Sequence, residues 1–203
     1  MADATILTRR SALEGHYAPG DFGAIKDGAP GITLQERRAL AIVHVDAWED
    51  RAADCAKAVG DACGTEPAPG NCKATESGGN AILWVGPNRW LITEKEGRDL
   101  FATITAKVTQ DLGAVTDQGH SRVCWRVSGP RLRDLLVKGS TIDFDRMVAG
   151  DSINSLMSHF SATIHCRAYD SVDIYVARSF AVDFQRWLHE SSLEFGLRIG
   201  DPI

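Results

Sequence analysis

One order of hydrophobic patterns runs through this chain twice, and that repetition limits its fold more than any other feature. "RALAIVHVDAW" (38–48) alternates as a strand does. "EDRAADCAKAVGDAC" follows, with Ala52, Cys55, Ala56, Val59 and Cys63 at helical spacing. "AILWVGPNRWLIT" (81–93) sets two apolar runs around Gly86-Pro87-Asn88-Arg89, the pattern of a hairpin. "GRDLFATITAKVTQDLG" then carries Leu100, Phe101, Ile104, Val108 and Leu112 as the inner stripe of a helix ended by Gly113. The order returns from residue 121. "SRVCWRVSG" puts Val123, Trp125 and Val127 on one face of a strand, and "PRLRDLLVKG" is a short helix with Ser128 or Gly129 as cap and Pro130 at its first position. "HFSATIHCRAYDSVDIYVAR" (159–178) is a hairpin turning at 168–171. "SFAVDFQRWLHESSLEFG" is a helix with Ser179 as N-cap, an inward stripe of Phe180, Phe184, Trp187 and Leu188, and Gly196 at its end.

Helices need a sheet to cover, and hairpins need antiparallel neighbours. The expected fold class is therefore α+β: two similar strand-helix-hairpin-helix units with antiparallel sheets. The expected division is an irregular arm over 1–34, a first unit over 35–113 and a second over 114–203, the two units forming one compact body. The arm has no sustained period, and its Leu13, Tyr17, Phe22 and Ile25 must pack on this chain or on a partner. Residues 64–79, "GTEPAPGNCKATESGG", read as a turn-rich loop.

A chain of 203 residues can bury a sizeable core, and a formal net charge of -5 argues against a nucleic-acid footprint. Arg131, Arg133 and Lys138 alternate with Leu132, Leu135 and Leu136 and read as the wet face of a helix. No apolar run reaches membrane-spanning length, and "MADATILTRRSALEG" lacks the apolar core of a signal peptide, so a cytoplasmic location is expected.

The motifs of common chemistries are missing. There is no GxSxG, no HExxH and no glycine-rich phosphate loop. Five cysteines form no CxxC pair and read as small buried thiols; Cys124 and Cys166 both lie in strands. His44 sits in an apolar strand as a sheet histidine. "DQGHSR" brings Asp117, His120 and Ser121 close in sequence, but strand neighbours point to opposite faces, so a turn is the better reading than a hydrolase site. In "LLVKGSTIDFD" (135–145), Lys138, Ser140, Thr141, Asp143 and Asp145 could be a catalytic cluster or a helix end and a turn. The second reading has Lys138 facing the helix dipole, Gly139 in a left-handed cap, and Ser140, Thr141 and Asp143 bonding the backbone.

"ILWVGPNRWLI" (82–92), "VTDQGHSRVCWRVSGPRLRDLLVKGSTIDFD" (115–145) and "VARSFAVDFQRWLHESSLEFG" (176–196) together resemble the gamma subunit of heterotetrameric sarcosine oxidase, in order and spacing, over residues 34 to 196. That family is similar in fold to the folate-binding region of the glycine-cleavage aminomethyltransferase, the T-protein, and to a folate-dependent bacterial protein of iron-sulfur enzyme maintenance. Those relatives carry a "KGC" pattern; Lys138 and Gly139 match it, while Ser140 stands where cysteine is usual, which leaves a thiol role there unsupported.

The resemblance implies an assembly of four different chains that oxidatively demethylates sarcosine to glycine and passes the one-carbon unit to tetrahydrofolate. It implies FAD on a beta chain, FMN between alpha and beta, NAD and folate on alpha, and zinc on delta. This chain would then be a non-catalytic gamma subunit without a cofactor of its own, in direct contact with alpha. Two alternatives follow the same resemblance: a free-standing tetrahydrofolate-binding protein, with Asp117, Asp143 or Asp145 as candidate grips, or the equivalent subunit of an N-methylglutamate dehydrogenase complex. A supporting subunit acts through surface, with an interface well above roughly 1,600 Å². The candidate contacts are Tyr17 and Phe22 in the arm and Arg89 and Trp90 at the hairpin tip; Trp90 could equally pack on its own sheet.

Overall fold

The computed structural model of the chain describes residues 9–25 and 28–203. The expected arm over 1–34 thus falls partly outside the described residues, at 1–8 and 26–27. In chain order the elements are β1 (Gly20–Phe22), β2 (Ile32–Arg37), β3 (Leu40–Ala47), α1 (Ala52–Cys63), β4 (Ala74–Ser77), β5 (Asn80–Gly86), β6 (Arg89–Lys95), α2 (Leu100–Thr105), β7 (Gly113–Asp117), β8 (Arg122–Ser128), α3 (Leu132–Leu136), β9 (Ser152–Met157), β10 (Phe160–Ala168), β11 (Ser171–Ala177), α4 (Ala181–Ser192) and β12 (Leu197–Ile199).

The strands make two sheets. One has seven strands in the order β1-β12-β2-β8-β11-β10-β9, the other five in the order β4-β5-β6-β3-β7. All neighbours are antiparallel except β12 and β2, which run parallel. That pair departs from the all-antiparallel expectation because it joins the two ends of the chain, Leu197 beside Ile32, without a hairpin between them.

Strand alternation explains the layers. On β8 and β11, Val123, Trp125, Val127, Val172, Ile174 and Val176 face outward under α3 and α4. On β3, β5 and β6, Val43, Val45, Ile82, Trp90 and Ile92 face outward under α1 and α2. The remaining faces meet each other, with Leu40, Ile42, Leu83 and Leu91 packed against Cys124 and Tyr175. The result is helix, sheet, sheet, helix. α4 is pinned by Trp125, whose ring meets Phe184 edge-on at 5.2 Å and whose Nε1 donates to Gln185 Oε1 at 2.6 Å. Such an aromatic buries its bulk and satisfies its polar end at once.

The sheets do not follow the division at 34 and 113. β2 lies in the larger sheet beside β8, and β7 returns to the smaller sheet beside β3. Only Arg38 and Ala39 link β2 to β3, with Ala39 at φ 53, so the chain steps from one sheet to the other in a single tight turn. The arm also belongs to the larger sheet's core: Leu13 is fully buried there, and β1 pairs with β12.

Several local expectations change. α2 stops at Thr105 rather than running to Gly113, although Ile104 and Val108 still reach the core. Two threonines, at 103 and 105, crowd that short segment, and Thr103 Oγ1 donates to the carbonyl of Asp99. The N-cap of α4 is Phe180 rather than Ser179, because a 3-10 turn over Arg178–Phe180 precedes it. Phe180 is 47% exposed and so leaves the inner stripe. Strand β4 runs through the loop expected over 64–79, and β9 precedes the expected second hairpin.

Candidate functional site

Charge gathers between the two sheets. Asp173 is the one acid in the apolar strand "SVDIYVA", and it sits opposite Arg126 of β8 and His165 of β10. Alternation turns all three toward the inter-sheet space. Asp173 is fully buried, and its carboxylate accepts from Arg126 twice, Nε to Oδ1 and Nη2 to Oδ2, each at 2.9 Å. Arg37 of β2 adds Nη1 to Oδ2 at 2.9 Å and also donates to Tyr175 at 3.2 Å. Arg167 approaches the same oxygen at 4.0 Å while it pairs with Glu76 at 2.7 Å. A forked, doubly bonded carboxylate of this kind is held in position as well as neutralised. The bond from Asp173 raises the Arg126 pKa.

His165 is fully buried beside this cluster. Its Nε2 lies 3.0 Å from Glu76 Oε1, near enough for an ion pair but outside hydrogen-bond geometry, so both ring nitrogens lack a hydrogen bond. Burial pushes its pKa down to about 4, Asp173 opposes that, and Arg167, Arg37 and Arg126 reinforce it. The ring is therefore neutral near pH 7. The thiols are tuned away from reaction too. Burial raises Cys55 and Cys63 to about 11, and burial is also the main cause that raises Cys124 and Cys166. A cysteine nucleophile needs the opposite shift. Among the described residues, no three His, Cys, Asp or Glu side chains come together as a metal site. The Asp173 cluster ties neighbouring strands of the larger sheet together, and Glu76 of β4 brings charge to it from the smaller sheet through Arg167 and His165.

"LLVKGSTIDFD" is a helix end and a loop. Lys138 Nζ donates to the carbonyl of Ser191 at 2.7 Å and pairs with Glu194, tying the loop to the end of α4. Gly139 is not in the left-handed conformation expected of a cap. It is glycine for lack of room: a Cβ there would lie 2.5 Å from Met157 Sδ and 2.6 Å from the Trp187 ring. Arg133 is not on a wet face. It is buried and donates to the carbonyls of Phe144, Met147 at 3.2 Å and Tyr169 at 2.8 Å, which draws the loop back over α3.

Asp117, His120 and Ser121 form the β7–β8 turn. Asp117 accepts from the Gly119 amide at 2.8 Å, Ser121 donates to the Gln118 carbonyl at 3.1 Å, and His120 is exposed. Of the candidate contacts, Trp90 is a correction. It is 8% exposed and packs under α1 and α2, because its place on β6 alternates outward of the inner face and beneath the helices. Arg89 does reach solvent, paired with Asp46 at 2.8 Å. Tyr17 uses its hydroxyl internally, donating to Gly200 O at 2.7 Å and accepting from the Glu36 amide at 3.0 Å. Phe22 is half-buried and meets His189 edge-on at 4.9 Å. Sequence reasoning missed Asp173, Arg126, Arg37 and His165. The signal was a lone charged residue on the otherwise apolar strands "VCWRV" and "SVDIYVA", a pattern that predicts partners on facing strands.

The geometry can be set beside known proteins. The subunit gamma of sarcosine oxidase from Corynebacterium sp. (strain U-96) is 25% identical over 197 residues, covering 96% of this chain and 95% of that one. The same subunit from Corynebacterium sp. (strain P-1) is 26% identical over 202 residues, covering 96% and 97%. Among solved structures, a chain of the heterotetrameric sarcosine oxidase from Corynebacterium sp. U-96 in complex with pyrrole 2-carboxylate superposes with a TM-score of 0.80 at 21% identity, over 92% of this chain and 96% of that one. The glycine cleavage system aminomethyltransferase T from Bartonella henselae follows with a TM-score of 0.60 at 13% identity, over 85% of this chain but 48% of that one. The expected T-protein-like α+β fold is thus the observed one. The model of one family, described as sarcosine oxidase, gamma subunit family, matches residues 48–194, most of the chain from the turn before α1 to the end of α4, and the chain belongs to that family.

Proposed function

We propose that this chain is a supporting subunit of a cytoplasmic sarcosine oxidase assembly and makes direct contact with an alpha-type chain. The observation that carries the reading is the family match over 48–194, joined to a likeness that covers 96% of this chain. In such an assembly sarcosine is oxidatively demethylated to glycine and the one-carbon unit passes to tetrahydrofolate. FAD, FMN, NAD, tetrahydrofolate and zinc belong to the alpha, beta and delta partners. The raised thiols and the neutral, sequestered His165 favour a structural role here. Phe22, at a groove it shares with His189 and Val182, and solvent-facing Arg89 are the contacts left to a partner. Tyr17 and Trp90 contribute to this chain's own packing instead.

Expression of the chain alone and together with its alpha-type partner tests this. Alone, it should show no visible flavin absorption and no amine oxidation; together, the two should purify as one species. A flavin spectrum from the isolated chain sinks the reading. The likeness to the aminomethyltransferase fold supports the folate-binding alternative, and tight calorimetric binding of tetrahydrofolate by the isolated chain would favour it.

A further inference from the structure

A cavity of about 330 Å³ opens where β2 hands the chain to β3, between the sheets and under the arm. Its lining includes Arg9, Arg10, Arg37, Arg38, Arg122 and Arg178, against two acids, Glu36 and Glu96. The chain as a whole carries a net charge of -5, so this concentration of positive charge runs against the molecule's own balance. Four of the six have acidic partners: Arg37 on Asp173, Arg38 on Glu36 at 2.7 Å, Arg9 on Glu96, and Arg10 near Glu14 at 3.7 Å. Among the described residues, the other two meet only neutral acceptors. Arg122 Nε donates to Gln118 Oε1 at 3.0 Å, and Arg178 Nη2 donates to the carbonyl of Arg10 at 2.9 Å.

The electrostatics agree. Burial lowers the pKa of Arg122, and burial followed by repulsion from Arg178 lowers that of Arg9, while the Arg126 held on Asp173 shifts upward. Leu40, Ile42, Val123 and Cys124 give the same cavity an apolar floor. An apolar floor under a few convergent cations is the usual construction of a small-molecule site. A guanidinium presents its donors as a fork that fits carboxylate or phosphate oxygens.

We propose that this cavity binds a small anion with at least two negative charges, carboxylate or phosphate, received by Arg122 and Arg178 over the apolar floor. The volume suits a metabolite rather than a peptide segment. The site adjoins the Asp173 cluster through Arg37, but the carboxylate that Arg37 meets there is the chain's own. It does not depend on the reading of the chain as an assembly subunit.

Calorimetric titration of the full chain tests it, with citrate in one arm and inorganic pyrophosphate in the other, at ionic strength fixed by sodium chloride. One or both should bind at a single site, and each should raise the melting temperature where sodium chloride alone does not. Arg122→Gln and Arg178→Gln should each weaken binding about tenfold or more, as expected for a lost charge-assisted hydrogen bond. Arg131→Gln, which removes an exposed arginine paired with Asp134 away from the cavity, should leave binding unchanged. Variants that melt as the parent does but bind equally well would overturn the proposal. So would a parent chain that binds neither probe at millimolar concentration, or an assembled complex in which a partner's acidic side chain fills the cavity.

Discussion

Two groups of arginines share the space between the sheets, and they are built on opposite plans. Arg37 and Arg126 converge on one buried carboxylate, Asp173, through three hydrogen bonds of 2.9 Å. Arg122 and Arg178 sit at the β2–β3 end of the same layer and, among the described residues, face only an amide and a carbonyl. The first group is complete within the chain. The second leaves charge over. A buried ion pair contributes little by existing, yet breaking one costs a great deal, because the remaining charge loses both partner and water. An unmatched arginine carries its desolvation cost already, and removing it sacrifices no ion pair. The two groups should therefore respond to mutation in opposite ways.

The largest effect falls on Asp173. Asp173→Ala strands Arg37 and Arg126 against one another in a layer where the nearby Glu76 is already paired with Arg167, and should destabilise the fold by about 3–5 kcal/mol in urea titration. A loss under about 1 kcal/mol, on the scale of an exposed pair, would mean that water reaches the cluster and that the two groups of arginines do not differ.

His165 tests the same layer by pH. Its folded pKa, about 4, lies below the ordinary histidine value, so between pH 6.5 and 4 the unfolded chain takes up a proton that the folded chain refuses. Stability is fully present above the upper value and is lost as pH falls, by at most about 1.4 kcal/mol per pH unit from this residue. His165→Gln should remove that share of the slope, so denaturation curves of variant and parent converge toward acid and run parallel above pH 7. Equal slopes across the window would show that the ring is not sequestered.

Pairwise coupling sharpens the picture further. In a double-mutant cycle of Asp173→Ala with Arg126→Ala, the double variant should be less destabilised than the sum of the singles, by about 1–2 kcal/mol. The same cycle with Arg122→Ala in place of Arg126→Ala should add simply.

The sequence made the local parts of this design legible and left the long-range parts hidden. The β5–β6 hairpin was readable because Pro87-Asn88 is a turn signal, with Asn88 at φ 56 as such turns require. α1 was readable from its apolar spacing, and Gly64 takes φ 74 at its end. β9 was not: "SINSLM" mixes polar and apolar positions as an edge strand does, and part of its order comes from Ser152, whose hydroxyl donates to Trp84 O on the other sheet. β12 is three residues long and exists because β1 and β2 flank it from the opposite end of the chain. The charged layer was missed. Asp173 and Arg126 are each a lone charge in an apolar strand, but their meeting depends on register and on a sheet order that places β8 between β2 and β11.

The smallest expected effect is the most discriminating. Arg122→Gln replaces a guanidinium whose hydrogen-bond partner, Gln118, is uncharged, and whose burial disfavours its charge. The loss of one hydrogen bond to a neutral acceptor is offset by relief of the desolvation that burial imposes on the guanidinium. Stability should move by no more than about 0.5 kcal/mol in either direction, the range of a substitution that breaks no network. If Arg122→Gln instead destabilises the chain as strongly as Asp173→Ala, an acid not visible among its described neighbours must hold that arginine, and the two groups are built alike after all.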